Sequence, residues 1–476
     1  KYFFCFQKVC LPKIKHNSNV FHVLKWIGLV VECLAKFVTG SLFAFNVYQD
    51  DIKEAFNYTQ KEVELQSSLI NIGLGFGIFP GLFYDRFGPT MASMLGVLVS
   101  MTAYTLLWST SKNQIFYSQS SLLMAMYFFL AGFGSVFTYM VALNTNIINF
   151  DAKHRSKIVG LLNACIAGSP SIFSIVYYRI FQTNNSAESF GSFMLMFAVC
   201  FVFTDIICML FLRLFTTTKS SSTDILPDFD EIEETEMKDI DEIRDSQCCT
   251  EEEESGATEH ISIGTLLSQI DYWLFLCLFS FSSLVGLVYL NNLTVITKSN
   301  GLSSHDQDIV LIIPITNAIV SSGTGVVSDL MKEKLPRVHF LVMGCVLFTG
   351  CAILAMIWGD DFAILCVATL LCGAGMGFIW TLGPTVLSEM LYIGDIGRNW
   401  GIALLVSSLI GWAVQEAFGS LYDNETPLGK TNCTSGMKCV RTGLMLLVIS
   451  GCVSIACGVA LLLKRNINRW FECCRK

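Results

Sequence analysis

The chain has 476 residues, of which 53% are hydrophobic and 15% charged, with a mean hydropathy of +0.55 and a formal net charge of −8. A soluble domain usually carries about 25% charged residues, so this composition demands a lipid solvent and overrules the soluble domains that length alone suggests. The acidity is local: sixteen of the 39 acidic residues lie between Asp224 and Glu259 and the remainder is mildly basic, so no nucleic-acid partner is implied.

In chain order, residues 1–22 read as a cytoplasmic N-terminal segment. A bilayer core takes about 20 apolar residues per helix, and each span must close its own backbone hydrogen bonds. Six such runs occupy about 23–48, 63–84, 89–110, 119–146, 157–181 and 191–213. Residues 214–260 lack apolar periodicity and carry Ser220, Ser221 and Ser222 before long acidic runs; they read as a disordered cytoplasmic linker. The linker is either a solvated tether or a regulatory segment, with Thr250 as a candidate phosphosite. Six further runs follow at about 271–296, 308–330, 337–358, 362–391, 399–420 and 441–463, then a basic cytoplasmic tail at 464–476. The expected fold is all-α: a polytopic membrane protein of about twelve helices in two six-helix bundles, 23–213 and 261–463.

An even count places both ends on one side. With the ends cytoplasmic, 22 of the 31 Lys and Arg lie on the inner side and eight outside, which satisfies the positive-inside rule. The glycosylation sequons begin at Asn57, Asn184, Asn292, Asn424 and Asn432; four fall in outer loops and Asn292 at the outer end of span 7. Cys433 and Cys439 share an outer loop, where an oxidising compartment favours a disulfide. The other cysteines sit mostly in apolar runs as small hydrophobes, and no spaced Cys/His set suggests a metal. No cofactor is expected.

The halves repeat at a nearly constant offset. Gly81-x-x-x-Asp85 recurs as Gly325-x-x-x-Asp329, and Gly160 as Gly401. Gly132-x-Gly134-x-x-Phe137-x-Tyr139 recurs as Gly373-x-Gly375-x-x-Phe378-x-Trp380, and Gly40 with Asn46 as Gly286 with Asn292. Paired repeats of this kind are a transporter plan with the solute site near the midplane.

The run Gly81-Leu-Phe-Tyr-Asp85-Arg86-Phe-Gly88 resembles the signature loop of the major facilitator superfamily, although Pro89 and Thr90 replace its final arginines. The resemblance implies a gate in which Asp85 meets the inner start of span 11 near Arg398, with a weaker second latch at Gly325 and Asp329. Gly40-Ser-Leu-Phe-Ala-Phe, Asn149-Phe150, Arg155 and Asp271-Tyr272-Trp273 resemble the nodulin-like branch, related to monocarboxylate carriers. Amino-acid carriers of the large-neutral type are a neighbouring resemblance. In the superfamily, helices 1, 4, 7 and 10 line the cavity, which implies Asn46, Tyr139, Asn144, Asn292 and Trp380 as solute contacts, with Asn163 of span 5 serving the cavity or a neighbouring helix.

Charges inside a bilayer need a partner or a wet cavity. Glu32 and Lys36 lie four apart on one face of span 1. Lys36 is either an anion anchor, half of a pair remade during transport, or half of a structural pair. Asp205 in span 6 is a candidate proton-coupling group. The glycine strings sit inside apolar helices, so they read as packing sites and not as nucleotide loops. With no catalytic spacing either, the expected function is a secondary or facilitative carrier of a small polar solute, such as a monocarboxylate, working by alternating access. Protons are a candidate coupling ion and a monomer is expected; the alternatives are an amino-acid carrier or a nutrient sensor on the same fold.

Overall fold

The computed structural model describes residues 18–214, 260–302, 306–426, 433 and 436–475. Ser220, Thr250, Asn432 and nearly all of the acidic linker lie outside the described residues.

The described chain is helical and contains eleven helices long and apolar enough to cross a bilayer. Val23–Phe56 is span 1 and Lys61–Thr110 carries spans 2 and 3. Ser121–Asn149, Arg155–Phe181 and Ser186–Phe211 are spans 4 to 6. In the second half Ile270–Ser299, Ile309–Leu330, Arg337–Trp358, Phe362–Met390, Ile393–Glu425 and Lys438–Arg465 are spans 7 to 12.

The expected twelve crossings and the eleven helices are reconciled at Gly88. The Lys61–Thr110 stretch is 50 residues long, which would reach about 75 Å as one straight helix, against a hydrocarbon core of about 30 Å. At Gly88 the backbone leaves the helical region for φ 76°, a left-handed value that glycine adopts without a Cβ clash. The packing shows the reversal. Gly132 of span 4 touches Ile70 while Gly134 touches Ser100, so two positions thirty residues apart lie at one level. Pro89 stands one residue later, at a first-turn position that needs no N–H.

Other spans are also interrupted. Span 1 runs further than the expected 23–48: a 3-10 turn over Gly40–Ala44 separates the Ser18–Thr39 helix from a Phe45–Phe56 helix. Span 5 holds Pro170 and ends in a π-helical turn, Tyr177–Phe181. Such breaks leave backbone groups to be re-satisfied by neighbours, which membrane bundles tolerate.

The face from which span 1 enters and span 12 leaves is the terminal face. There the halves pack through spans 2 and 11 and through spans 5, 8 and 10. The closest backbone approaches follow the repeat. A Cβ on Gly81 would lie 2.0 Å from the Gly397 carbonyl oxygen, and one on Gly160 would lie 2.4 Å from that of Ser321. Only glycine lets the backbones meet so closely.

Candidate functional site

Lys36, from the middle of span 1, is 2% exposed. Its Nζ lies 3.1 Å from the centre of the Tyr139 ring. Glu32, one turn earlier, faces Asn146 of span 4. Among the described residues no ion pair joins Glu32 and Lys36. Lys36 and Tyr139 line a small central cavity with Asn163 and Trp380. Its volume is about 10 Å³, room for about one water and no solute. The site is therefore described in a closed form, with the lysine laid on an aromatic face.

The aromatic wall reaches beyond the cavity. Trp380 keeps part of its surface open, while Phe279 and Trp400 behind it are fully buried. The Phe279 ring lies 5.4 Å from Trp380 and 4.8 Å from Trp400. Trp400 Nε1 donates to the Tyr139 hydroxyl across the halves at 3.3 Å. Such edge-to-face sets hold one ring orientation. Asn163 Nδ2 donates to Ser321 Oγ at 2.7 Å and to Asn317 Oδ1 at 3.4 Å, both on span 8.

The cavity thus gathers Lys36, Tyr139, Asn163 and Trp380, and leaves three expected contacts aside. Asn46 is exposed beyond the 3-10 break. Asn144 is buried against Gly397, on the terminal-face side. Asn292 is buried and donates to Gln415 of span 11 at 3.1 Å, a bond between helices. Span 5 also takes a side of the cavity, through Asn163, where the resemblance implies span 7. Asp205 lies elsewhere in the first bundle: it accepts from Thr138 at 2.8 Å and borders Gly96 of span 3.

On the terminal face two aspartates cap helices of the opposite half. Asp85 accepts the N–H groups of Gly397 at 2.9 Å and Arg398 at 2.6 Å. Asp329 accepts those of Ser156 at 3.3 Å and Lys157 at 2.9 Å. In both cases these are the second and third residues of a helix, where N–H groups lack internal partners and the dipole is positive. The second latch, expected to be the weaker, has the longer backbone bonds but also an added cation. Arg337, wholly buried at the start of span 9, donates to Asp329 at 2.5 Å and to the Ala152 carbonyl at 2.7 Å, and also pairs with Glu389. It supplies the cation that the shortened motif lacks. Arg155 adds a bond to Ser388 at 3.2 Å.

Other expected gate groups are placed differently. The Arg398 guanidinium turns to Asp395 at 3.1 Å, so only its backbone serves the latch. Arg86 is exposed, 5.4 Å from the Phe87 ring centre. On the face opposite the termini, Cys433 and Cys439 are disulfide-bonded, and Asn57, Asn184 and Asn424 are exposed.

Trp400, Phe279 and Arg337 were not among the residues expected from sequence. Arg337 has a visible signal, a charge opening an apolar run directly after Pro336. The two aromatics have none, because buried aromatics abound in membrane helices.

The comparisons agree with this architecture. The curated "Probable transporter MCH1" of Debaryomyces hansenii is 21% identical over 88% of this chain and 90% of its own length. A Neurospora crassa protein of the same description is 23% identical over 92% of this chain and 88% of its own. Among solved structures, the proton:xylose symporter XylE superposes with a TM-score of 0.66 at 14% identity, covering 93% of this chain and 95% of that one. The family model described as "Major Facilitator Superfamily" matches residues 26–415, and with this span, the repeat and the fold together, the chain belongs to that superfamily and is a multi-pass membrane transporter.

Proposed function

We propose that the chain is a secondary or facilitative carrier of small organic anions, monocarboxylates among them, in the nodulin-like, monocarboxylate-carrier-related branch. The observation that carries this reading is Lys36, buried at the closed midplane cavity on the Tyr139 ring with no direct ion pair among the described residues, Glu32 one turn away attracting it only at longer range. A buried cation without a counter-ion in direct contact is costly. A solute carboxylate would supply the partner. The amino-acid alternative gains less support, because no carboxylate lines the cavity to meet an ammonium group.

In this reading the terminal face is cytoplasmic, in keeping with its lysines and arginines and with the exposed sequons opposite. The two aspartate latches hold that face shut, and alternating access requires their release. Protons are the proposed coupling ion, with Glu32 and Asp205 as the buried carboxyl groups available for such a role.

Uptake of labelled organic acids into proteoliposomes, with and without a pH gradient, tests the reading. Truncating one partner of a buried charge pair costs about 2–5 kcal/mol, so Lys36→Ala should lower uptake about 30-fold or more. Undiminished uptake by Lys36→Ala protein that reaches the membrane overturns the anchor. A pH gradient without effect on uptake overturns proton coupling alone.

A further inference from the structure

The Lys36 cavity also carries information about the body of the solute. Apart from Lys36, Asn163 and the Tyr139 hydroxyl, its lining is apolar: Trp380 and four aliphatic side chains of spans 4 and 5. Asn163 spends its amide donor on span 8 and the Tyr139 hydroxyl accepts from Trp400, which leaves one carbonyl acceptor and one O–H donor for a solute. A polyhydroxylated solute would leave several hydroxyls without partners there, each costing on the order of tenfold in affinity. An α-ammonium group would find no carboxylate in the lining. What the wall does offer is a partly open indole, held edge-on against two fully buried rings. A ring held in one orientation presents flat apolar area without ordering cost.

We infer that the solute is a monocarboxylate with a flat aromatic body, its carboxylate on Lys36 and its ring against Trp380. This rests on the reading of Lys36 as the anion anchor. In the closed form Lys36 itself covers the Tyr139 face, 3.1 Å from its centre. Binding therefore draws the ammonium off Tyr139 towards the carboxylate and frees that ring as the second wall. The aromatic pair thus selects for a ring, while the lysine selects for the charge.

The test uses the full chain in proteoliposomes with three labelled solutes at equal concentration: phenylpyruvate, pyruvate and xylose. Phenylpyruvate should be taken up with a kcat/KM about tenfold above pyruvate, and xylose at the level of empty vesicles. Trp380→Leu should cut the preference for phenylpyruvate to about twofold, whereas Trp380→Phe should keep most of it. Pyruvate taken up as well as phenylpyruvate, with the ranking unmoved by Trp380→Leu, overturns the aromatic inference and leaves the anion anchor standing. Xylose exceeding both acids, or no uptake of any of the three by protein that elutes as a single folded species, overturns the anchor as well. Should Trp380→Leu fail to fold, the wild-type ranking and Trp380→Phe decide.

Discussion

Asp85→Asn isolates the charge of one latch while keeping its shape. The native carboxylate accepts two backbone N–H groups, from Gly397 at 2.9 Å and Arg398 at 2.6 Å. An asparagine retains one acceptor oxygen and turns an NH2 group towards the other donor. One charge-assisted hydrogen bond is lost, worth about 1.5–3 kcal/mol, together with about 0.3–1 kcal/mol of helix-terminus attraction. The closed terminal face should therefore lose about 2–4 kcal/mol relative to the open one, a change of about 30-fold to several-hundred-fold in their ratio. Asp329→Asn should cost more, because it also removes one of the two acidic partners of the buried Arg337. The two latches share no partner, so a double variant should show nearly additive costs. The assay is single-molecule energy transfer between dyes attached through unnatural amino acids at Lys153 and Lys334, exposed residues of opposite halves on the terminal face. A wild-type distance distribution in both variants would refute the reasoning, since it would mean that the face stays closed without either charge.

Two further predictions concern the wall and the opposite face. Trp400→Ala should cost about 3–5 kcal/mol of stability in detergent, as a wholly buried indole is emptied; Trp400→Phe, which loses mainly the bond to Tyr139, should cost about 0.5–1.5 kcal/mol, both read by thermal unfolding. Glycosidase treatment of protein made in a eukaryotic host should raise its gel mobility, and the combined Asn57→Gln, Asn184→Gln, Asn424→Gln and Asn432→Gln variant should lose that shift; wild-type protein whose mobility the glycosidase leaves unchanged would refute the assignment of those loops to the outside.

The spans were legible because lipid imposes a length and a composition on every crossing helix, and these are properties of local sequence. Even the reversal at Gly88 was legible, as the gap between the apolar runs 63–84 and 89–110. The latches were half legible. Gly81 and Asp85 sit in a recognisable string, but the cation that completes the second latch, Arg337, comes from the next helix and depends on tertiary placement. Periodicity also assigns a polar residue to a helix face without saying which neighbour that face meets. Asn144 and Asn292 were expected at the cavity from the resemblance, which names helices and not faces, and the structure sets them against Gly397 and Gln415. Trp400 was missed for the same reason: its role depends on Tyr139, a residue 261 positions away in the other half.

That pairing links the cavity to the latch. Asp85 holds Gly397 and Arg398, the opening turn of span 11, and Trp400 stands two residues further along the same helix. Trp400 in turn bonds Tyr139, whose ring carries Lys36. A displacement of span 11 that breaks the Asp85 latch must therefore strain or break the Trp400–Tyr139 bond, and any solute that moves Lys36 off Tyr139 alters the surface against which Trp400 rests. In the proposed cycle the two events share one helix end, so their energies cannot be independent. The sign follows from the contacts. The empty, collapsed site and the sealed terminal face stabilise one another, and a solute that fills the cavity weakens the same bond that anchors span 11. Phenylpyruvate added to the doubly dyed wild-type protein should consequently shift the distances in the direction that Asp85→Asn does, and Trp400→Phe should weaken that response by severing the link while leaving both latches intact.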